Sequence, residues 1–544
     1  MPEASRASME YEDVASPTSH DHGTTDRGGS VAGLCAVPTC TERELDVTPN
    51  APEGTLRAYI SNYDAASIAS MAEDMFRAPI HRGMRTLDRS KFQKTALLNA
   101  ARVFDNKNIS KLRVALERSK DALQQDRLGS VHADLVPERA KAGKKCILLR
   151  PGVANLHISS RNGNPTNGCE AQSTRPYSPT LMELVQQRLV EIVPFSLQLD
   201  YTYWTYHDII TAILPEEAQD EVPSGFSQVG HVAHLNLRDD YLPYKNLIAE
   251  ILMDKNSGVK TVINKIDDVG GENEFRTFKY EVLAGPDDLN VTISEENCTF
   301  KFDYSKVYWN TRLNTEHRRL VELFREGEAV CDVMAGIGPF AVPAGKKSVF
   351  VWANDLNPDS YASLEDAVVR NKVADYVRPF NEDGRTFIKT ASAQLAQSSR
   401  KVEIMSKVSK KDGPAAKPQV LRTLEEPKTF QHFVLNLPAS ALTFLPSFVG
   451  LYPPAVRSQL PDTFEMPLVH VYCFSTKSDD NVTESVQICE EIGRQLGYAE
   501  MRVGKVGENG EGAVEIFDVR DVAPKKRMFC ATFRLPQEVA FRGT

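Results

Sequence analysis

The fold of this chain is decided by the stretch AVCDVMAGIGPF at residues 329–340 and by the stretch VFVWAND at residues 349–355. Each stretch begins with an apolar run that predicts a buried strand. A glycine loop and a helix-length segment separate the two strands, and the second strand ends on an acidic residue. Strand, glycine loop, helix, strand and acid is the order of a nucleoside-binding α/β unit.

The glycine loop indicates which kind of nucleoside ligand fits. Gly336 and Gly338 lack side chains where the strand turns into the helix, so a ligand can lie against the backbone. The third glycine of a dinucleotide fingerprint is missing, because Pro339, Phe340 and Ala341 follow the second glycine. A bound pyrophosphate is therefore less favoured than a ligand without phosphate, such as S-adenosylmethionine.

Two acidic residues follow the second and third strands of this unit. Asp355 is placed to accept hydrogen bonds from ribose hydroxyls, and Asp383 follows the third strand, where an adenine amino group would lie. Each acid has an alternative structural role, as a helix N-cap or a turn acid. Their order along the chain favours the joint cofactor-binding interpretation.

A second short motif, Asn436-Leu437-Pro438, follows the apolar strand 433–435. It falls at the carboxyl end of the predicted sheet, where open α/β sheets bind their ligands. The Asn436 amide both donates and accepts hydrogen bonds, and Pro438 stiffens the turn that holds it. An isolated Asn-x-Pro turn is weak evidence, but its position after a glycine loop favours a role in the reaction.

The pattern along the chain predicts an α/β protein with several domains, as a length of 544 residues also implies. From residue 305 to 544 strands alternate with helices, which predicts a mostly parallel sheet. Residues 179–304 predict a mixed α/β middle domain. Residues 76–178 form an N-terminal domain, in which Lys91–Arg127 is expected to be helix-bearing, and residues 1–75 are expected to be a disordered head.

Residues 390–428 interrupt the last domain with a long segment that lacks clear periodicity and carries eight cations. A disordered surface insertion is the favoured interpretation, and a basic arm on the backbone of a bound RNA is the alternative. The basic residues near the N-terminal domain leave a similar choice between a solvated face and phosphate contacts. These residues are Arg82, Arg85, Arg89, Lys91 and Lys94.

Composition excludes some classes of protein and leaves others open. The formal net charge of −9 argues against an overall basic protein, although a local basic surface can still bind RNA. The nine cysteines form no C-x-x-C pair, which favours free thiols over disulfides or a zinc site. No run of 18 apolar residues exists, so no membrane span is expected.

These motifs together resemble the archaeal and eukaryotic tRNA guanine-N1 methyltransferases, which modify the guanosine 3′ of the anticodon, at position 37. The resemblance is firm from about residue 180 to 540 and patchy from residue 76, and it does not cover the head or the insertion. It is carried by residues 332–340, 354–358 and 436–438, and by YWNTRLNTE at 308–316, GHVAHLNLR at 230–238, RGMRTLDRSKF at 82–92 and VRDVAPKKRM at 519–528.

The resemblance implies a C-terminal Rossmann-like class I methyltransferase domain that binds S-adenosylmethionine and the anticodon stem-loop, a middle domain, and an N-terminal accessory domain that contacts the outer corner of tRNA. Glu316 would be the general base, Arg276 would stabilise guanine O6, and Asn436 would orient the guanine base. Tyr308, Gly336, Gly338, Asp355, Asp383 and Asn436 would line the cofactor site.

The chemistry requires such a set of residues. Guanine N1 carries a proton at neutral pH, so a base must remove it before or during attack on the sulfonium methyl. Negative charge then builds on O6, where a guanidinium can stabilise it. Glu316 has an alternative role as a first-turn acid at a helix N-terminus, and Arg276 as a surface strand residue.

Two other functions remain alternatives. The related transferase of wybutosine synthesis moves an aminocarboxypropyl group instead of methyl, and a non-catalytic tRNA-binding protein would keep the fold without turnover. The presence of Glu316 with Asn436 favours methyl transfer. No metal is expected, and the protein is expected to be a monomer. By resemblance the protein is expected in cytoplasm, nucleus and mitochondrial matrix, although the acidic head is a poor transit peptide.

Overall fold

The computed structural model describes residues 74–151, 177–219, 221–266, 275, 277–406, 418–458, 460 and 464–543. The expected disordered head lies almost wholly outside these residues. Within the described ranges, no helix combines the length and the apolar character that a membrane crossing requires.

The N-terminal part of the chain is a four-stranded sheet of order β2-β3-β1-β4 with antiparallel neighbours. Its elements are β1 (Lys94–Val103), α1 (Ile109–Arg118), β2 (Val131–Ala133), α2 (Pro137–Lys141), β3 (Lys145–Leu148), α3 (Pro179–Gln186) and β4 (Val190–Leu199). The longest pairing joins β1 to β4, from Lys94–Leu199 to Val103–Val190. Strand pairing thus groups β4, beyond residue 178, with the N-terminal strands.

The segment Lys91–Arg127 bears a helix, as expected, but α1 covers only Ile109–Arg118 of it. A strand that the sequence did not predict fills residues 94–103. The alanine and leucine of this stretch favour helix by propensity, but pairing with strands on both sides overrides that preference.

The middle part is mixed α/β, as the sequence predicts. A four-stranded sheet of order β5-β6-β7-β8 has one parallel pair, β6 with β7, and a separate hairpin of β9 and β10 follows it. Its elements are α4 (Tyr206–Ile213), β5 (Ser227–Val229), β6 (Val232–Leu235), α5 (Lys245–Lys255), β7 (Thr261–Lys265), β8 (Tyr280–Ala284), β9 (Asn290–Glu295) and β10 (Cys298–Asp303).

The C-terminal part is built on an eight-stranded sheet of order β13-β12-β11-β16-β17-β20-β19-β18. Its first half comprises α6 (Asn314–Leu323), β11 (Ala329–Asp332), α7 (Ala341–Lys346), β12 (Phe350–Asn354), α8 (Pro358–Arg370), β13 (Val377–Phe380), α9 (Gly384–Gln397), β14 (Lys401–Met405) and β15 (Val420–Glu425). Its second half comprises β16 (His432–Leu435), α10 (Pro454–Arg457), β17 (Leu468–Thr476), α11 (Val482–Leu496), β18 (Arg502–Val503), β19 (Ala513–Ala523), β20 (Lys526–Arg534) and α12 (Gln537–Phe541).

The strand order of this sheet fixes where a ligand can bind. Five neighbouring strands of this sheet, in the order β13-β12-β11-β16-β17, are parallel, whereas β20 runs antiparallel to β17. The chain builds outward from β11 to β12 and β13, then returns to the other side of β11 as β16. The crevice outside the carboxyl ends of β11 and β16 is therefore the topological switch point, where such sheets hold their ligands.

One local expectation for this sheet needs correction. The described part of residues 390–428 is not irregular: it completes α9 and then forms an antiparallel hairpin of β14 and β15. Residues 407–417 lie outside the described ranges. The segment Ala441–Phe448 is a 3₁₀-helix that contains Pro446, which cannot donate an internal hydrogen bond.

Candidate active site

The glycine loop between β11 and α7 forms the floor of the candidate cofactor site. Gly336 and Gly338 both have positive φ, +57° and +95°, a conformation that glycine adopts without strain. A Cβ on Gly336 would meet no atom within 4 Å, whereas one on Gly338 would lie 2.7 Å from Leu364 Cδ1. The first glycine thus leaves open space for a ligand, and the second lets the loop pack on α8.

Asp355 is tied directly to this loop. Its Oδ2 accepts a hydrogen bond from the Gly336 N–H at 2.8 Å, and its Oδ1 accepts one from the Asn357 N–H at 3.0 Å. Burial raises the pKa of the Asp355 carboxyl, while these two N–H donors lower it. The structure therefore brings together the glycine loop and the acid that the sequence analysis assigned to one site.

Asn354, the residue before this acid, joins three loops of the site. Its Nδ2 donates to the carbonyl of Val333 at 3.0 Å and to that of Glu382 at 3.0 Å, while its Oδ1 accepts from the Glu382 N–H at 2.8 Å. The chain segments after β11, β12 and β13 are thereby held at one edge of the sheet. The sequence analysis quoted Asn354 in a motif but assigned it no role.

Asp332, the last residue of β11, was also missed as a site residue. It is fully buried, and neither carboxylate oxygen has a hydrogen-bond partner among the described residues. Burial, with a smaller contribution from the charge of Asp355, raises the pKa of Asp332 well above its ordinary value. An unpartnered buried carboxyl group is costly to a folded protein, which points to a hydrogen-bonding ligand.

The two other predicted cofactor residues are less enclosed. Asp383 is the N-cap of α9, and its Oδ1 accepts hydrogen bonds from the backbone N–H groups of Arg385 and Thr386 at 3.0 and 3.2 Å. The structural alternative for Asp383 therefore holds, and Oδ2 accepts neither of these bonds. Tyr308 is 43% exposed, and its hydroxyl accepts a hydrogen bond from Asn310 Nδ2 at 3.5 Å.

Glu316 lies in the first turn of α6, but its side chain is only 4% exposed. Arg319 donates to both oxygens, from Nε to Oε2 at 2.7 Å and from Nη2 to Oε1 at 2.6 Å. The hydroxyl of Tyr472 on β17 donates to Oε1 at 2.6 Å. A first-turn acid needs no such burial, so Glu316 does more than stabilise a helix N-terminus.

Arg319 and Tyr472 were not singled out from the sequence. Arg319 could have been predicted as a partner of Glu316 from its spacing, because residues three apart on a helix face the same side. Its guanidinium also lies 4.0 Å from the ring centroid of Phe517. Tyr472 gave no local signal, since an aromatic residue in an apolar strand is ordinary core.

Asn436 follows β16 at the same edge of the sheet. Its Oδ1 is buried and has no hydrogen-bond partner among the described residues. Leu435 pairs with Val471, so Asn436 and Tyr472 are the next residues along neighbouring parallel strands. The turn after Asn436 is fixed by the Phe474 N–H, which donates to the carbonyl of Pro438 at 3.2 Å.

Phe340, at the end of the glycine loop, packs against residues next to the Glu316 carboxylate. Its ring centroid lies 4.9 Å from that of His317, the neighbour of Glu316, and 6.2 Å from that of Tyr472. His317 is itself fixed by a 2.5 Å hydrogen bond to Glu295. The candidate cofactor loop and the candidate base therefore share one packed wall.

Arg276 lies outside the described residues, so its predicted role stays a prediction. Most of the basic residues near the N-terminal sheet have partners within the protein. Arg82 donates to the carbonyl of Leu214 at 2.8 Å, Arg85 lies over the ring of Tyr244, Arg89 pairs with Asp254, and Lys94 donates to Arg77 O at 3.0 Å. These four side chains support the fold rather than form an open phosphate-binding surface.

Comparison with known proteins gives matches over most of the chain. Residues 206–288 match the TYW2 N-terminal domain, and residues 292–410 match the TRM5/TYW2 methyltransferase domain. A Fusarium vanettenii protein named tRNA (guanine(37)-N(1))-methyltransferase is 49% identical over 472 residues, covering 86% of this chain and 97% of the relative. A Neurospora crassa protein of the same name is 50% identical over 477 residues, covering 86% and 95%.

Among solved structures, the complex of aTrm5 with tRNALeu matches with a TM-score of 0.50 and 16% identity, covering 80% of this chain and 100% of that one. That likeness supports the α/β fold alone. The sequence relatives show the family as well as the fold, because about half of the aligned residues are identical across nearly the whole length of each relative. The chain belongs to the tRNA (guanine(37)-N(1))-methyltransferase family.

Proposed function

We propose that this chain methylates N1 of guanosine 37 in tRNA with Glu316 as the general base and S-adenosylmethionine as the methyl donor. The reaction follows from the family, and tRNA is the substrate. The observation that carries the role of Glu316 is its buried carboxylate, which Arg319 and Tyr472 hold in place.

The hydrogen bonds of Glu316 leave room for one more proton donor. Oε1 accepts two hydrogen bonds and Oε2 accepts one, and each carboxylate oxygen has two lone pairs. Oε2 therefore keeps a lone pair that can accept the N1 proton of guanine. The Arg319 guanidinium holds the carboxylate in one orientation, as a positioned base requires.

The residues of the switch-point crevice suit an S-adenosylmethionine-type cofactor. When bound, this cofactor supplies an electrophilic methyl group on a sulfonium centre. Gly336 offers open space at the backbone, and the unpartnered carboxyl group of Asp332 suits a ligand with hydrogen-bonding groups. We assign Asp355 to the ribose hydroxyls, Asp383 to the adenine side, and Tyr308 and Gly338 to the lining of the same site.

Asn436 and Arg276 are assigned to the target base. The buried, unpartnered Oδ1 of Asn436 is an acceptor for a guanine N–H group, and its amide nitrogen is a donor. The role of Arg276 at O6 is supported by the family resemblance and by the charge that builds on that oxygen when N1 loses its proton. Extrusion of guanosine 37 from the anticodon loop brings it to these residues.

The anticodon stem-loop is assigned to the edge of the C-terminal sheet, and the outer corner of tRNA to the N-terminal part of the chain. One surface there is suited to RNA: a cavity of about 620 Å³ lined by Arg77, Lys120 and Arg150, together with Gln124 and Gln125. Cations and amide side chains are the groups that contact phosphate and sugar. The family resemblance also supports a monomer, found in cytoplasm, nucleus and mitochondrial matrix.

The test is a single-turnover assay with a labelled methyl donor and a tRNA transcript that carries guanosine at position 37. We expect label at that guanosine, with a product mass that increases by one methyl group. A transcript with adenosine at position 37 is the control and should remain unlabelled. Transfer of an aminocarboxypropyl group, or RNA binding without turnover, would contradict the proposal.

A further inference from the structure

The structure assigns a role to Tyr472, which we propose is a positioning residue that orients Glu316 and selects Oε2 as the oxygen that receives the N1 proton. This inference rests on the proposed role of Glu316 as the base. Tyr472 is fully buried, and it reaches Glu316 from a different element, across 156 positions of sequence.

The selection follows from counting lone pairs. Arg319 alone binds both oxygens of Glu316 once each, which leaves the two oxygens equivalent as proton acceptors. The hydrogen bond from Tyr472 occupies the remaining lone pair of Oε1 and leaves Oε2 free. Tyr472 therefore decides which oxygen faces the substrate with an unused lone pair.

Tyr472 is suited to be a constant donor. Burial raises its pKa well above the ordinary value for tyrosine, and the charge of Glu316 and the hydrogen bond to it act in the same direction. The phenol therefore stays protonated over the working pH range and can donate continuously. A donor to the ionised carboxylate also stabilises that form.

A row of polar side chains lies beside Tyr472 on the same face of the sheet. Tyr472 pairs with Cys530, and His470 pairs with Thr532, so all four side chains project to one face of the sheet. Thr532 Oγ1 lies 2.9 Å from His470 Nδ1.

The row continues toward the amino ends of the parallel strands. His470 Nε2 lies 3.0 Å from His432 Nδ1, and His432 Nε2 lies 3.3 Å from Glu328 Oε2. These contacts fix His470, which lies two residues before Tyr472 on β17. Such a buried polar row is expensive for a core unless its orientation matters to the protein.

The surroundings of Glu316 define what a change at Tyr472 can affect. The titratable groups near it are Arg319 on its own helix, Tyr472 on β17 and Cys530 on β20. Burial raises the pKa of the Cys530 thiol to about 12, so it stays neutral. Arg319 stays a cation, because its hydrogen bonds to Glu316 outweigh the opposing effect of burial on its pKa.

The test is the pH dependence of single-turnover methyl transfer by Tyr472→Phe. Without the phenol, the carboxylate of Glu316 loses one hydrogen bond at Oε1, and its two oxygens become equivalent. We expect the pH of half-maximal rate to rise by roughly one unit or more, which is the size expected for a hydrogen bond to a charged group. Dissociation constants for tRNA and cofactor should stay near the wild-type values.

Tyr452→Phe is the matched control. Tyr452 is also buried in the C-terminal part, but its hydroxyl has no hydrogen-bond partner among the described residues. This variant should keep the wild-type pH of half-maximal rate. A second variant, with 3-fluorotyrosine at position 472, keeps the ring and strengthens the donor, so that pH should fall. A packing role alone would not shift the two variants in opposite directions.

The outcomes separate this inference from the function on which it rests. If Glu316→Gln is inactive while both changes at position 472 leave the pH profile unchanged, Tyr472 does not position the base and the inference is overturned. If Glu316→Gln keeps the wild-type rate, the base assignment fails and this inference fails with it. Opposite shifts for phenylalanine and fluorotyrosine, with an inactive Glu316→Gln, support both.

Discussion

Arg319 donates two hydrogen bonds to Glu316, the residue one turn before it in α6, from Nε to Oε2 at 2.7 Å and from Nη2 to Oε1 at 2.6 Å. Both nitrogens lie on one planar guanidinium, so the carboxylate is held in plane with it. The ring of Phe517, 4.0 Å from the guanidinium carbon, covers the same group. The proposed base is thus fixed before any substrate arrives, which is what a positioned proton acceptor requires.

Glu316→Gln should therefore lose rate rather than binding. Glutamine fills the same space, but its amide cannot take the N1 proton at neutral pH. We expect the single-turnover rate to fall by roughly 10²–10⁴-fold, with little change in cofactor affinity. Glu322→Gln is the control on the same helix, because Glu322 is exposed, and it should keep the wild-type rate. A normal rate for Glu316→Gln would reassign the base.

Arg276→Ala should slow chemistry without weakening the binding of S-adenosylmethionine. The guanidinium is assigned to the negative charge that develops on guanine O6, and loss of such a group lowers a rate by roughly 10²–10³-fold. The measurement is the single-turnover rate at saturating tRNA and cofactor. Turnover at the wild-type level would remove Arg276 from the mechanism.

Asp332→Asn should stabilise the free protein and weaken cofactor binding. The pKa of Asp332 is raised well above its ordinary value, so the folded state binds its proton more tightly than the unfolded state. As pH rises above the unfolded value of about 3.9, ionisation favours the unfolded chain, and wild-type stability falls relative to the variant.

The measurement is the free energy of unfolding of both proteins between acidic and neutral pH, without cofactor. The advantage of Asp332→Asn should grow as pH rises and shrink near the ordinary pKa of aspartate. Cofactor affinity, measured by calorimetry, should be lower for Asp332→Asn than for the wild type. An advantage that is independent of pH would show that the Asp332 carboxyl does not titrate as its burial implies.

His234 gives a pH dependence of opposite sign. Burial, aided by the charges of Lys265 and Arg312, lowers the pKa of His234 to about 4. Unfolded histidine titrates near 6.5, so stability that is full above about pH 6.5 is lost as pH falls toward 4, with an upper limit of about 3 kcal/mol. In His234→Gln this loss between pH 6.5 and 4 should be smaller. An equal loss in both proteins would assign the acid sensitivity to other groups.

The sequence predicted regular elements best where burial and pairing agree with local preference. The strands predicted in residues 329–340, 349–355 and 433–435 are the buried strands β11, β12 and β16. Strand β1 was missed because its residues favour helix locally and become a strand only through pairing with β3 and β4. Strand β19 was missed because its polar, exposed residues lack the apolar run of a central strand.

The same limit applies to the site. Gly336 and Asp355 were predicted together because their order follows one βαβ unit, and the structure joins them by a hydrogen bond. Tyr472 could not be predicted, because its partner Glu316 lies 156 positions away and the contact depends on how α6 packs on β17. Contacts within a unit can be inferred from spacing, whereas contacts between distant elements depend on tertiary packing.

Shortening the β14–β15 hairpin should leave methyl transfer intact. Arg422 pairs at 2.5 Å with Glu326, just before β11, and Arg400 at the base of the hairpin donates to the carbonyl of Ala374, just before β13, at 2.7 Å. Both anchors lie at the amino ends of parallel strands, whereas the candidate site lies at the carboxyl ends. Arg400 and Arg422, which lie in the described part of this hairpin, are therefore poorly placed to contact an RNA bound at the site.

The variant replaces residues 404–422 with an Asn-Gly turn, which suits a two-residue hairpin between Glu403 and Thr423, paired residues of β14 and β15. It removes Lys407, Lys410, Lys411, Lys417 and Arg422. We expect the wild-type rate, tRNA affinity and dependence of affinity on salt, because phosphate contacts set the salt slope. Weaker binding together with a salt slope smaller by about one or more would instead make the hairpin an RNA-binding arm.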